Sequence, residues 1–257
     1  MTAFPISIEE YEKLNPVVTL NHAAATVQYC TPNKLTAWRV NTLFSKEPYT
    51  LEWIAEFGGD EVLVDIGANV GMYTVWAART RGIKVFAFEP ESQNYALLNR
   101  KILLNGLTEQ VRAYCAGLSN ETGFGDMYLS ELKIGGSCHA VGDPRNFKLE
   151  PFETQLVQGC HFTTLDALVA QGTVPVPNHI KIDVDGFEHK VIQGAAATLE
   201  NRQVKSVLVE VNTNLAEHQD LIVRLTDLGF SVSQEQVASA LHTEGVFEGV
   251  ADHVFRR

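Results

Sequence analysis

The chain has 257 residues, of which 45% are hydrophobic, and carries a formal net charge of −11. That length suits one large α/β domain with a substantial core. The acidic balance, with no basic stripe, argues against a nucleic-acid partner and against an anionic membrane surface, and favours a soluble, acidic cytoplasmic protein.

Residues 1–50 precede any clear alternation of elements and are expected to form an N-terminal cap. Their start, MTAFPISIEEYEKL, is acidic and lacks the basic stretch and apolar run of a signal peptide. No apolar stretch is long enough to span a bilayer. Cys30, Cys115, Cys138 and Cys160 lie far apart, so neither a C-x-x-C zinc site nor a redox pair is visible. They read as reduced thiols in a reducing compartment.

From Glu61 the chain alternates. EVLVDIG predicts an apolar strand and VGMYTVWAART a helix. IKVFAFEP predicts a second strand. ESQNYALLNRKILLNGL predicts a helix that stops near Asn105-Gly106, where glycine supplies the C-cap. QVRAYCAG predicts a third strand. Residues 118–163 are too long for an ordinary connection. They hold two predicted strands, GDMYLS and FETQLVQGCHF, around the turn-rich ELKIGGSCHAVGDPRN. This insertion reads as an edge hairpin or as a substrate lid, and its length favours the lid. NHIKIDVDG and VKSVLVEVN predict two further strands separated by the helical FEHKVIQGAAATLEN. AEHQDLIVRLTDLG predicts a helix, and FSVSQEQ and ADHVFRR a last pair of strands.

Near-continuous apolar strands alternating with helices imply a parallel sheet covered on both faces. Right-handed crossovers then give a doubly wound, Rossmann-like α/β fold. Residues 1–257 read as one domain, with 1–50 as cap and 118–163 as inserted hairpin or lid. Ligands in such folds bind outside the carboxyl ends of the strands, so the polar residues there carry the functional information.

The first such end is VLVDIGANVGMY, Val62 to Tyr73. A strand, a glycine turn and a helix N-terminus make a cofactor site. Glycines let backbone approach a ligand closely, and Asn69 tolerates left-handed backbone. The pattern is D-x-G-x-N-x-G rather than the G-x-G-x-x-G that seats a pyrophosphate. An acid at the strand end suits a ligand with a cationic ammonium group and no phosphate, such as S-adenosylmethionine. The second strand ends in Glu89, eighteen residues after Gly71, where a βαβ nucleoside site places a carboxylate for a ribose diol.

VDIGANVGMYTVWAA, VFAFEP, LLNRKILLNGL, TTLDAL and IKIDVDGFEHKVIQGA, with SKEPYTLEWI (Ser45 to Ile54) before them, resemble the FkbM-type methyltransferases. The resemblance covers residues 45–212. It implies a class I methyltransferase fold, with a seven-stranded sheet whose last strand is antiparallel. It implies methyl transfer from S-adenosylmethionine to hydroxyl oxygens of sugars or natural products, and so a small-molecule or glycan acceptor. By position it implies that Asp65, Gly67, Asn69 and Gly71 hold the methionine part, Glu89 the ribose, and that Ala116 lies near the adenine. The 118–163 insertion departs most from the family pattern.

The fourth strand, HIKIDVDG, alternates. Ile180, Ile182 and Val184 point one way, and Lys181, Asp183 and Asp185 the other. Lys181 is expected to pair with Asp65 or Asp183, as a buried ion pair or as part of the chemistry. Methyl transfer to a hydroxyl needs a group to take its proton. Asp183 is the first candidate, followed by Glu210 and His139. His139, Asp185 and Glu188 are candidate acceptor contacts, Glu188 otherwise capping its helix. Asp183 with Glu210 and Asn212 also gives a weaker reading as an oxygen-ligand site for Mg²⁺. No metal ligand is assigned. His22, His161, His179 and His189 show no metal-ligand spacing, and Trp38, Trp53 and Trp76 read as core or lid packing. Two alternatives stand beside this reading. The D-x-G-x-N-x-G turn counts against a nicotinamide-dependent oxidoreductase. The acids at the fourth strand's open end count against a non-catalytic nucleoside-binding module.

Overall fold

A computed structural model describes residues 6–23 and 25–257. Residues 1–5, the start of the expected cap and of the stretch read for a signal peptide, lie outside the described residues, as does Ala24. The strands are β1 (Val17–His22), β2 (Ala25–Cys30), β3 (Val62–Ile66), β4 (Lys84–Phe88), β5 (Val111–Tyr114), β6 (Gly117–Leu118), β7 (Gly123–Leu129), β8 (Ala140–Val141), β9 (Leu156–Thr163), β10 (His179–Ile182), β11 (Ser206–Asn212), β12 (Ser231–Val232) and β13 (Val250–Arg256). The main sheet has seven strands in the order β12-β13-β11-β10-β3-β4-β5. Pairing is parallel from β11 through β10, β3 and β4 to β5, and β13 runs antiparallel to β11. The order reverses between β3 and β10, which opens a crevice at their carboxyl ends.

The strands are apolar because both faces are covered. On β11, Val207, Val209 and Val211 enter one core, with Ile180, Ile182, Leu221 and Phe230. Leu208 enters the other, with Trp53, Ile54, Val75 and Leu98. Trp53 and Trp76 are core residues, as expected. The N-terminal segment does more than cap. Tyr29 on β2 donates its hydroxyl to the Met72 carbonyl at 3.0 Å, and buried Lys101 donates to the Val70 carbonyl at 2.9 Å. Both hold the glycine turn from beneath.

The helix Ser92–Leu104 ends at Asn105, with Gly106 at φ +65, as its sequence predicts. Three expectations are corrected. FEHKVIQGAAATLEN forms two helices, Glu188–Gly194 and Ala196–Glu200. They break where Gly194 meets Ser119, whose carbonyl oxygen would lie 2.0 Å from an added Cβ. FSVSQEQ gives only the two-residue β12, because the Ser233 side chain accepts from Gln236 N–H and caps a helix, Gln234–Ala240. The fourth strand stops at Ile182, so the alternation does not extend to Asp185, which turns left-handed at φ +56.

In the insertion, β7 and β9 pair antiparallel, and with β6 and β8 they form a separate four-stranded sheet. The turn-rich piece between them folds back over the carboxyl ends of the main sheet.

Candidate active site

A cavity of about 700 Å³ lies at those carboxyl ends, within the range of ligand sites. The glycine turn after β3 forms its floor. Gly67 has φ +78, and a Cβ there would lie 1.8 Å from the Asp183 carbonyl oxygen, so the two strand-end loops meet backbone to backbone. Asn69 is also left-handed, at φ +50. Its N–H donates to Glu89 Oε2 at 2.7 Å, and its side-chain amide donates to the Gly136 carbonyl at 2.7 Å. Gly67 and Asn69 face the cavity. Gly71 faces neither it nor its side chamber: it precedes the helix Met72–Arg81 and packs on Leu98.

Glu89 is 5% exposed and lines the cavity. It also accepts from Glu91 N–H at 2.9 Å. Burial pushes its carboxyl up to about 8. Each carboxylate oxygen has a second lone pair for a further donor. Ala116, Phe88 and Leu118 line the same end. Asp65 is 1% exposed and does not reach the main cavity. It borders a side chamber of about 50 Å³ that shares Gly67, Asn69 and Asp183 with it. The Thr74 hydroxyl donates to one carboxylate oxygen of Asp65, and Oδ1 is buried without a partner. Burial raises this carboxyl above its ordinary range, with Lys181 and Thr74 opposing.

Lys181, of the two partners open to it, takes Asp183: Nζ lies 2.8 Å from Asp183 Oδ2 and 5.4 Å from the Tyr73 ring centroid. It is 2% exposed and does not line the main cavity, which removes it from direct contact with anything bound there. Burial works to raise Asp183, but Lys181 outweighs it and holds the carboxyl below its ordinary range. Asp183 is thereby a weak proton acceptor. Asp185 and Glu210 line the cavity beside it. Asp185 accepts from Cys138 N–H at 2.8 Å. Burial, then the Asp183 charge, raises Asp185 to about 7. Burial, then Asp183, Glu188 and Asp185, raises Glu210 well above the usual carboxylate range.

Glu188 stands apart from the cavity. It is fully buried and lines no part of the cavity. Its carboxylate accepts from Val184 N–H at 2.8 Å and Gly186 N–H at 3.1 Å, and lies 3.2 Å from His218 Nε2. His218 Nδ1 in turn accepts from Asn212 N–H at 3.0 Å, which puts the ring proton on Nε2. This pair ties the loop after β10 to the end of β11. A lone histidine in AEHQDL carries no sequence signal for that role.

The roof comes from the insertion. Arg39 donates to the Gly135 carbonyl through Nε at 2.9 Å and Nη2 at 2.7 Å. Asn33 donates to the Ile134 carbonyl at 2.9 Å. Asn94 accepts from Gly135 N–H at 2.7 Å and donates to the Gly136 carbonyl at 3.2 Å. Three distant segments, carrying Asn33 with Arg39, Asn69, and Asn94, therefore pin the roof, and of these residues only Asn69 was legible as a site residue. His139 is 7% exposed and lines the cavity, and its Nε2 is buried without a partner. Burial lowers its pKa. Trp38 stands half exposed at the rim.

Among the described residues, no group of three or more His, Cys, Asp or Glu side chains is arranged to hold a metal ion, so the Mg²⁺ reading gains no support. No described helix is long and apolar enough to cross a membrane. All four cysteines are free thiols.

The model of the methyltransferase FkbM domain matches residues 65–232, more than half of the chain. The chain belongs to the FkbM methyltransferase family. This FkbM protein is 28% identical over 178 residues to the hexuronic acid methyltransferase AglP of Haloferax volcanii, covering 69% of this chain and 67% of that protein. It is 25% identical over 197 residues to Methyltransferase 1 of Beauveria bassiana, covering 71% of this chain and 77% of that protein. Among solved structures, an FkbM methyltransferase from Methylobacillus flagellatus matches with a TM-score of 0.51 at 14% identity, over 79% of this chain and 44% of that chain. Precorrin-6y C5,15-methyltransferase from Geobacter metallireducens matches with a TM-score of 0.50 at 14% identity, over 89% and 93%. At such identities the structural likeness speaks for the fold: a mostly parallel, seven-stranded methyltransferase sheet.

Proposed function

We propose that this chain is an S-adenosylmethionine-dependent O-methyltransferase acting on a hydroxyl of a sugar, glycoconjugate or natural product. The carrying observation is one cavity that joins the Gly67–Asn69 turn and buried Glu89 at one end to Asp183, Asp185 and Glu210 at the other. The residues fit the cofactor. Glu89 is a buried acceptor for a ribose diol. Asp65 Oδ1, buried and unpartnered, suits an ammonium reached through the side chamber. Gly67 and Asn69 would border the methionine part, and Gly71 would act through the shape of the turn. Ala116 would border the adenine. When bound, the cofactor supplies an electrophilic methyl group on a positively charged sulfur.

This chain's own residues then position the acceptor and take its proton. Asp183, held by Lys181, is an orienting hydrogen-bond acceptor. Lys181 serves by fixing Asp183 and not by contact. Glu210, unpaired and with a raised pKa, is the stronger proton acceptor. Asp185 and His139 would meet the acceptor at the wall and roof. Alignment of hydroxyl and methyl alone supplies much of the acceleration. The hexuronic acid activity named for the Haloferax relative supports a sugar acceptor.

The test has two arms. Thermal shift with S-adenosylmethionine and with NAD should show stabilisation by the first only. Mass spectrometry on hexuronic acids, neutral sugars and polyol natural products should find one added methyl on oxygen. Stabilisation by NAD alone would turn the reading to an oxidoreductase. Cofactor binding without product on any acceptor class would favour a binding module.

A further inference from the structure

Around the carboxyl ends of β10 and β11, beside β13, the main sheet gathers several half-buried acids. Lys181 is level with Asp65 on β3 and with Leu208 on β11. One step beyond the paired residues Ile182 and Val209, the same register sets Asp183 level with Glu210. Glu210 is in turn the antiparallel partner of Asp252 on β13. Three carboxylates therefore stand side by side on neighbouring strands, whose spacing is about 4.8 Å. Lys181 is committed to Asp183. Lys46, the next cation, is paired with Glu47, and Arg39, whose charge also reaches Asp183, spends its donors on the Gly135 carbonyl. No described group donates to the Glu210 carboxylate, which faces the cavity. The Asp252 carboxylate accepts one hydrogen bond among the described residues, from the Thr50 hydroxyl at 3.5 Å, and does not line the cavity. Behind the row, buried Asp65 adds an unpartnered oxygen.

Carboxyls so placed in a half-buried cleft repel one another and hold part of the row protonated; a cation entering the cleft relieves the repulsion and favours the ionised forms. We propose that the Asp183–Glu210–Asp252 row makes this site select for positive charge, with Glu210 and Asp252 the residues that distinguish a sulfonium cofactor from its neutral thioether product. The inference rests on the cofactor assigned above. Glu210 acts at the cavity wall, and Asp252 acts through its field alone. A site that grips the charged form and not the neutral one sheds spent cofactor without moving the roof.

Calorimetry at a pH of about 8.5, with S-adenosylmethionine and S-adenosylhomocysteine on wild type, Glu210→Gln and Asp252→Asn, is the test. Wild type should favour the sulfonium. Each variant should lower that preference by about 10- to 100-fold, the range for one unit charge several ångströms away in a protein cleft. The change should fall on the sulfonium, with thioether affinity nearly constant. Asp252→Asn leaves the cavity wall intact, so it reports charge without contact, and melting curves establish that both variants fold. An unchanged preference in both variants overturns the proposal. So does an equal loss of affinity for both ligands, which would make Glu210 a contact residue. Mg²⁺ alone raising the melting temperature of wild type but not of Glu210→Gln would make the row a metal site and overturn it too. If wild type binds neither ligand, the cofactor reading fails and this inference with it.

Discussion

Lys181 Nζ sits 2.8 Å from Asp183 Oδ2, and this pairing sets what each residue can do. It anchors Asp183 at the cavity while weakening it as a base. Asp183→Asn keeps the shape but leaves Lys181 buried without its ion-pair partner, with Asp65, Glu47 and Asp252 as the remaining charges around it. Breaking a buried pair by removing one partner costs about 3–5 kcal/mol, and the 29% exposure of the Asp183 side chain places the loss toward the lower end. Urea denaturation should show a reduced midpoint, turnover should fall, and affinity for the cationic cofactor should fall with it, because the row loses one charge and Lys181 loses its partner. An unchanged midpoint would refute the structural role. Near wild-type turnover would exclude Asp183 from orienting the acceptor.

Gly67 touches the Asp183 carbonyl, so Gly67→Ala should be far worse than Gly71→Ala. At Gly67 the added Cβ would lie 1.8 Å from backbone oxygen; at Gly71 it would lie 2.3 Å from Leu98 Cδ1, the end of a side chain that can rotate. Both positions also force an L-residue into left-handed backbone, at a cost of about 1–3 kcal/mol. Melting temperatures and cofactor affinities of the two variants should separate, with Gly67→Ala losing both. Equal effects would mean that the loops do not depend on this contact.

The raised carboxyls fix a direction for stability against pH. Glu89 and Asp252 are pushed to about 8 and Asp185 to about 7, by burial in each case. Their ordinary values are 4.5 for Glu and 3.8 for Asp. A folded-state pKa above the unfolded one contributes stability that is complete below the unfolded value and lost as pH rises through the folded value. Without ligand, the melting temperature should therefore fall as pH rises from about 7 to about 8.5, above the range in which His139, His179, His189 and His253, lowered by burial, pull the other way. Asp183, shifted the other way, loses its contribution only below the ordinary carboxylate pKa, outside this window. Scanning calorimetry across the range checks it. A rising melting temperature would show that these carboxyls are ionised in the folded protein.

The roof should exchange hydrogen slowly even without ligand. Gly135 N–H donates to buried Asn94, and the Gly135 and Gly136 carbonyls are held by Arg39, Asn69 and Asn94. Residues 143–150, half of them exposed and with amide bonds made only within the segment, should exchange faster than the roof. Arg39→Ala should speed exchange across Gly135–Cys138 without altering the main sheet. Fast exchange of Gly135 in wild type would return the segment to the freely moving lid that its glycine content suggests.

The sequence determined the sheet, because period and composition are local. EVLVDIG, VFAFEP and VKSVLVEVN bury both faces and read as central strands whatever surrounds them. The glycine turn and Glu89 were legible for a similar reason: a strand end fixes where the next residues point. What lies opposite a residue was not local, and tertiary structure decided it. Asp183, Asp185, Glu188 and Glu210 are alike as letters. Packing gave the first to Lys181, turned the second left-handed against Cys138, sealed the third beneath the loop with His218, and left the fourth unpaired in the cavity wall. Asp252 came closest to announcing itself, as an acid inside a strand whose neighbours are buried, but its meaning required β13 to lie beside Glu210. The roof required Asn33, Arg39, Asn69 and Asn94 to converge on a loop some forty to a hundred residues away in the chain. Such convergence is set by how the elements stack on both faces of the sheet, and no spacing within one segment encodes it.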